Sequence, residues 1–75
     1  MPKLRRISGE DAIKRLEKLG FQRLRQRGSH VILKKHSSEG DIGCVVPLHK
    51  ELAIGTLHGI LKQAKLSAED FMDDL

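Results

Sequence analysis

Apolar side chains recur at Ala12, Ile13, Leu16 and Leu19, while Lys14, Arg15, Glu17 and Lys18 fill most of the positions between them. That spacing places one apolar stripe along a helix. Ser8, followed three residues later by Asp11, resembles a capping box, and Glu10 and Asp11 are acids suited to a first helical turn. A helix is therefore expected to open there. Gly20 supplies its stop, because a glycine just past the last turn takes a positive φ and lets Phe21 fold back onto the helix. From Phe21 to Val46 the period shortens to strand-like runs punctuated by glycine. Three strands are predicted, at about 21–26, at 30–34 and at 42–46, with turns at Gly28-Ser29 and at 37–40 and with Pro47 closing the last. Leu57, Ile60, Leu61 and Ala64 then mark a second amphipathic helix opening near Gly55 and Thr56. Gly59 inside it is expected to allow a close approach of helix to sheet. Ser67 with Asp70 repeats the capping pattern, so Phe71, Met72 and Leu75 are placed on a short final helix.

These elements predict an α+β fold in the order αβββα with a short C-terminal helix. Three consecutive antiparallel strands would form a meander, with both helices covering one face of the sheet. The whole chain, 1–75, reads as a single domain, because 75 residues leave no room for a second core. With 39% hydrophobic residues, nearly all must serve one thin core, and little remains to line a deep pocket.

Charge adds a direction to this plan. Residues 1–38 hold eleven basic and three acidic side chains; residues 39–65 hold three of each; residues 66–75 hold four acids and no base. A basic front with an acidic tail fits a nucleic-acid face with a solvating end, a pattern that merely soluble proteins also show. Two Phe are the only aromatic residues, so phosphate contact is favoured over base stacking. Cys44 is the single cysteine, which excludes an internal disulfide and a cysteine-based zinc site. No apolar run approaches a membrane span, and no signal-type stretch follows Met1-Pro2-Lys3. The expectation is a soluble cytoplasmic protein that does not engage a membrane.

The segment from Arg23 to His30 carries the most chemistry. Arg23, Arg25 and Arg27 alternate along the first strand, so they are expected on one face as a cationic stripe of roughly 13 Å. Such a stripe suits phosphates, although alternating charges mark any half-exposed strand. His30 follows at once, and imidazole is the side chain able to take and return a proton near neutrality. An RNA 2′-hydroxyl beside a phosphate requires that service, while Arg or Lys offsets charge on the phosphoryl oxygens. An ordinary turn histidine is the competing reading. The face His30 occupies depends on the hairpin. A two-residue Arg27-Gly28 turn sets Arg25 opposite it, whereas a loop one residue longer puts it on the face of Leu24. Val31, Ile32 and Leu33 are apolar on both faces, which suggests that the second face is covered, by another copy in a homodimer or by a different protein.

The remaining candidates are weaker. Histidines at 30, 36, 49 and 58 are separated by 6, 13 and 9 residues, which matches no common metal pattern, so neither metal nor other cofactor is expected. His49 ends the third strand next to Lys50 and so stands within range of the same nucleic acid. His58 reads as an exposed helical position and Cys44 as a small buried hydrophobe. No Gly-x-x-x-x-Gly-Lys-Ser/Thr loop supports nucleotide hydrolysis.

Taken in order, the Ser8 cap, Leu16-Glu17-Lys18-Leu19-Gly20-Phe21, Arg27-Gly28-Ser29-His30, Val46-Pro47-Leu48-His49, Gly55-Thr56-Leu57 and Ile60-Leu61-Lys62-Gln63-Ala64 resemble the HicA (YcfA-like) toxins of bacterial HicAB toxin–antitoxin systems. The likeness runs from about Ser8 to Phe71. It implies a fold like that of double-stranded-RNA-binding domains. It also implies an mRNA interferase, a metal-independent endoribonuclease held inactive by a HicB antitoxin in a hetero-oligomer. The histidine of the family's Gly-Ser-His motif is its catalytic residue and carries over onto His30, with Gly28 and Ser29 completing the motif. His49 matches a histidine often found after the proline of the third strand, with no catalytic role carried over. Ser37-Ser38 stands where many relatives have a proline-containing turn. On this reading His30 is general base and then acid, and Arg23, Arg25, Arg27 and Lys34 contact the RNA backbone. A non-catalytic module of the same fold that reads A-form RNA through its phosphates and 2′-hydroxyls is the alternative, and a protein-binding adaptor is a third reading.

Overall fold

The computed structural model describes residues 4–72. Its elements run α1 (Gly9–Lys18), β1 (Gln22–Arg27), β2 (His30–Ser37), β3 (Gly40–Pro47), α2 (Ile54–Ala64) and α3 (Ala68–Met72). This is the expected α+β arrangement, with longer second and third strands. Ser8 caps α1, its Oγ accepting the Asp11 N–H at 3.0 Å. At the other end Gly20 takes φ +103°. The Phe21 N–H then reaches back to the Leu16 carbonyl at 3.0 Å, and the Gly20 N–H to that of Glu17 at 3.1 Å. These two bonds make a Schellman stop, and they turn Phe21 into the core.

The sheet has the order β1-β2-β3, antiparallel throughout. Val31 and Leu33 of β2 and Cys44 and Val46 of β3 alternate inward, and they pack against Ala12, Ile13 and Leu16 of α1 and Leu57, Ile60, Leu61 and Ala64 of α2. Phe71 and Met72 of α3 complete this core. Ser67 caps α3 by accepting the Asp70 N–H at 3.0 Å; Leu75, expected on the same helix, lies outside the described residues.

α2 opens at Ile54, next to the expected Gly55, behind Ala53, which makes no side-chain cap. One helix expectation is corrected. Gly59 makes no close approach to the sheet: a Cβ there would meet nothing within 4 Å. The tight contact occurs at Gly9, where a Cβ would stand 2.0 Å from the Pro47 carbonyl oxygen, while the Gly9 N–H donates to the His49 carbonyl at 2.9 Å. Glycine thus lets the start of α1 lie directly on the chain leaving β3.

Candidate nucleic-acid interface

The register of the first hairpin sets which side chains share a face; its turn is the expected Gly28-Ser29, while its pairing matches neither of the two registers weighed for His30. Arg27 pairs with His30, so Gly28 and Ser29 are the two turn residues. Gly28 has φ +58° and Ser29 no positive φ, the pattern of a type II′ turn led by glycine. Along β1 the register shifts between Arg23 and Arg25, with Leu24 as the extra residue of a bulge. Before the bulge Arg23 is opposite the buried Leu33; after it Arg25 is opposite Ile32.

The three arginines therefore do not form one stripe. Arg23 lies on the helix side, where its Nη2 donates to Glu10 at 3.0 Å and its Nε stands 3.4 Å from Glu17. The hydrogen bond to Glu10 holds the guanidinium above its ordinary pKa. The alternation rule failed because one inserted residue reverses the face of everything beyond it. Two acids of α1, Glu10 and Glu17, which precede Arg23 by 13 and 6 residues and so form no local pattern with it, supply the reason for Arg23 to turn toward the helix.

On the face the helices leave open, cross-strand neighbours form rows: Arg27, His30 and Pro47; then Arg25, Ile32 and Val45; then Gln22, Lys34 and Gly43; then His36 and Asp41. His30 begins the central strand, its ring exposed and in no hydrogen bond or ion pair with the described residues. Arg25 and Arg27 are likewise exposed and in no ion pair among the described residues. Lys34 is engaged: its Nζ stands 2.9 Å from Asp41 Oδ2, while Asp41 Oδ1 lies 2.7 Å from His36 Nδ1. Hydrogen bonds from Lys34, and then from His36, hold the Asp41 carboxyl below its ordinary range. The sequence reading missed this cluster. Its signal was the turn at 37–40, which sets Asp41 opposite His36.

Ser29 anchors the other end. Its carbonyl accepts the Leu48 N–H at 2.6 Å, which joins the Gly28-Ser29 turn to the chain leaving β3 and, through Gly9, to α1. His49 is exposed and lines an open depression with Ser8, Glu10, Leu48 and Lys50; His30 is not part of that lining. The fold thus puts His30 and His49 at one end of the molecule without gathering them into one pocket. His58 is exposed on α2, and Cys44 is buried, its thiol pushed up to about 11 by desolvation. Among the described residues no three His, Cys, Asp or Glu side chains gather into a metal-binding group, and no helix is long and apolar enough to cross a membrane.

This face carries the His30 imidazole and the Arg25 and Arg27 guanidinium groups, all without an ion pair among the described residues, and an adjoining strip of aliphatic surface from Ile32 and Val45. No curated protein matches the chain. The family model described as the HicA toxin of bacterial toxin-antitoxin matches residues 9–66, from the first residue of α1 past the end of α2. Covering most of the chain, that match shows that the protein belongs to the HicA toxin family of bacterial toxin–antitoxin systems.

Proposed function

We propose that this protein is the toxin's catalytic component, a metal-independent endoribonuclease of the mRNA-interferase type, with His30 as its acid–base residue. The observation that carries this reading is the exposed His30 ring, without a partner among the described residues, beside Arg25 and Arg27 on the uncovered sheet face. RNA brings its own nucleophile, so the protein need supply only proton transfer and charge compensation. His30 takes the 2′-hydroxyl proton; the 2′-oxygen bonds to the adjacent phosphorus; the P–O5′ bond breaks; and the imidazolium returns a proton to the departing 5′-oxygen. The products are a 2′,3′-cyclic phosphate end and a 5′-hydroxyl end.

Gly28 and Ser29 act through geometry, since the turn and its tie to Leu48 set the start of β2 from which His30 projects. Arg25 and Arg27 hold the RNA backbone, and Lys34 contributes where RNA displaces its bond to Asp41. His49 and the neighbouring Lys50 extend the contact around the corner of the molecule. Membership of a toxin–antitoxin family implies an antitoxin partner. In this reading the partner is a HicB-type protein, the toxin acts on mRNA in the cytoplasm, and the uncovered face is blocked in a hetero-oligomer of the two. Arg23 is withdrawn from the RNA-binding set.

The test is digestion of a long single-stranded transcript in chelator by the wild type and by a folded His30→Ala variant. Cleavage with 2′,3′-cyclic phosphate ends by the wild type alone is expected. Equal cleavage by both proteins would move the chemistry to another residue. Binding by both with cleavage by neither would leave a non-catalytic RNA-binding module.

A further inference from the structure

We infer that Arg25 and Arg27 divide the work on the RNA, Arg27 bonding the phosphate that is cut and Arg25 the next phosphate along the strand; this rests on the nuclease reading above.

The division follows from the register. Arg27 is the direct cross-strand neighbour of His30, so the two side chains rise from the same face with Cβ atoms about 5 Å apart. On the other side of His30 stands Pro47, which is buried and carries no polar side chain. Arg27 is thus the one cation in His30's own row. Arg25 lies two residues along β1, about 7 Å further from the turn, opposite the aliphatic Ile32. Lys34 is four residues from His30, about 13 Å, and bonded to Asp41. Arg23 is on the other face and bonded to two glutamates.

A phosphate whose neighbouring 2′-hydroxyl meets the His30 ring therefore lies nearest the Arg27 fork, with Arg25 one row and Lys34 two rows further along the sheet. Two parallel N–H donors match two phosphoryl oxygens, and their bonds tighten as negative charge builds on those oxygens when the 2′-oxygen attacks. Arg27 should then act on the chemical step. Arg25 meets a phosphate whose charge does not change, so it contributes equally to ground and transition states and acts on binding. RNA would run along the hairpin, from the Gly28-Ser29 turn toward the far end of β1.

The experiment is steady-state cleavage of one defined transcript by wild type, Arg27→Gln, Arg27→Lys, Arg25→Gln and His58→Gln, each verified as folded by circular dichroism. For Arg27→Gln, kcat is expected to fall about 100-fold with KM changed by less than about threefold. Arg27→Lys should recover part of kcat, because charge is restored without the fork. Arg25→Gln should raise KM about fivefold with kcat nearly unchanged, and His58→Gln should match the wild type. If wild type cleaves and His30→Ala does not, but Arg27→Gln and Arg25→Gln both affect only KM, the division is wrong while the nuclease reading stands. If the wild type cleaves no RNA, both fall together.

Discussion

The Arg23 guanidinium donates to the Glu10 carboxylate over 3.0 Å and stands 3.4 Å from that of Glu17, so the start of β1 is clasped to α1. A side chain held this way by two acids is not offered to a phosphate. Replacing it should therefore disturb the fold's electrostatics and spare the RNA. Arg23→Gln is expected to lower the melting temperature by an amount that shrinks as salt rises, with RNA affinity changed by less than about twofold. Arg25→Gln should weaken binding and reduce the slope of log affinity against log salt by about 1. Equal losses of affinity in the two variants would overturn the assignment of Arg23 to the helix side.

Gly9 has no space for a methyl group, since its Cβ would fall 2.0 Å from the backbone oxygen of Pro47. A backbone atom cannot swing away as a side chain would, so either α1 or the chain leaving β3 must move. Gly9→Ala is expected to cost about 1–3 kcal/mol of stability in urea titration, against the small gain that alanine gives in an unhindered helix. The same movement loosens the bond of Gly9 to His49 and, through Leu48, the support of the Ser29 turn. Cleavage should fall along with stability, and a variant as stable as the wild type would contradict the contact.

Asp41 gives the protein an acid-sensitive element. Its carboxyl is held below the ordinary range chiefly by the hydrogen bond from Lys34 and next by that from His36, so the folded state prefers the charged form. A depressed folded pKa contributes stability that is present above the unfolded carboxylate value near about 3.9 and is lost as pH falls through the folded value. Asp41→Asn should be less stable than the wild type at pH 7, and the gap between their urea midpoints should narrow as the pH falls below the unfolded carboxylate value. At neutral pH the same variant frees Lys34, and RNA affinity should rise. A gap that persists unchanged in acid would show that the ion pairs are not its source.

Lys65 ends α2 in the left-handed region, φ +57°, and its neighbour's N–H bonds back to the Leu61 carbonyl at 3.0 Å. A side chain at that position carries a steric penalty that glycine avoids. Lys65→Gly is expected to stabilise the protein by about 1 kcal/mol in urea titration, with no change in RNA cleavage. Destabilisation would mean that the lysine makes a contribution outweighing its backbone strain.

All three helices and all three strands were legible in the chain because each is marked locally. The Ser8 and Ser67 caps, the Gly20 stop and the apolar period of α1 and α2 lie within a few residues of what they specify, and each is found in the structure. The family resemblance was carried by the same ordered segments, and the match over residues 9–66 agrees with it. Strand lengths were underestimated, because the outer residues of β2 and β3, such as His36, Ser37 and Asp41, are polar and pair through backbone.

By itself, then, the order of residues determined the α+β arrangement, the helix ends and the place of His30 at the head of a strand. Only tertiary structure decided the faces. The Gly28-Ser29 turn aligned Arg27 with His30, and the bulge at Leu24 sent Arg23 to the acids of α1 while leaving Arg25 and Arg27 on the uncovered side. Side chains alternate along a strand with a period of two, so a shift of one residue inverts the outcome. That shift is chosen where the strand meets its neighbours, in the packing of Leu33 and the pull of Glu10 and Glu17, and these contacts come from parts of the chain that local pattern does not join.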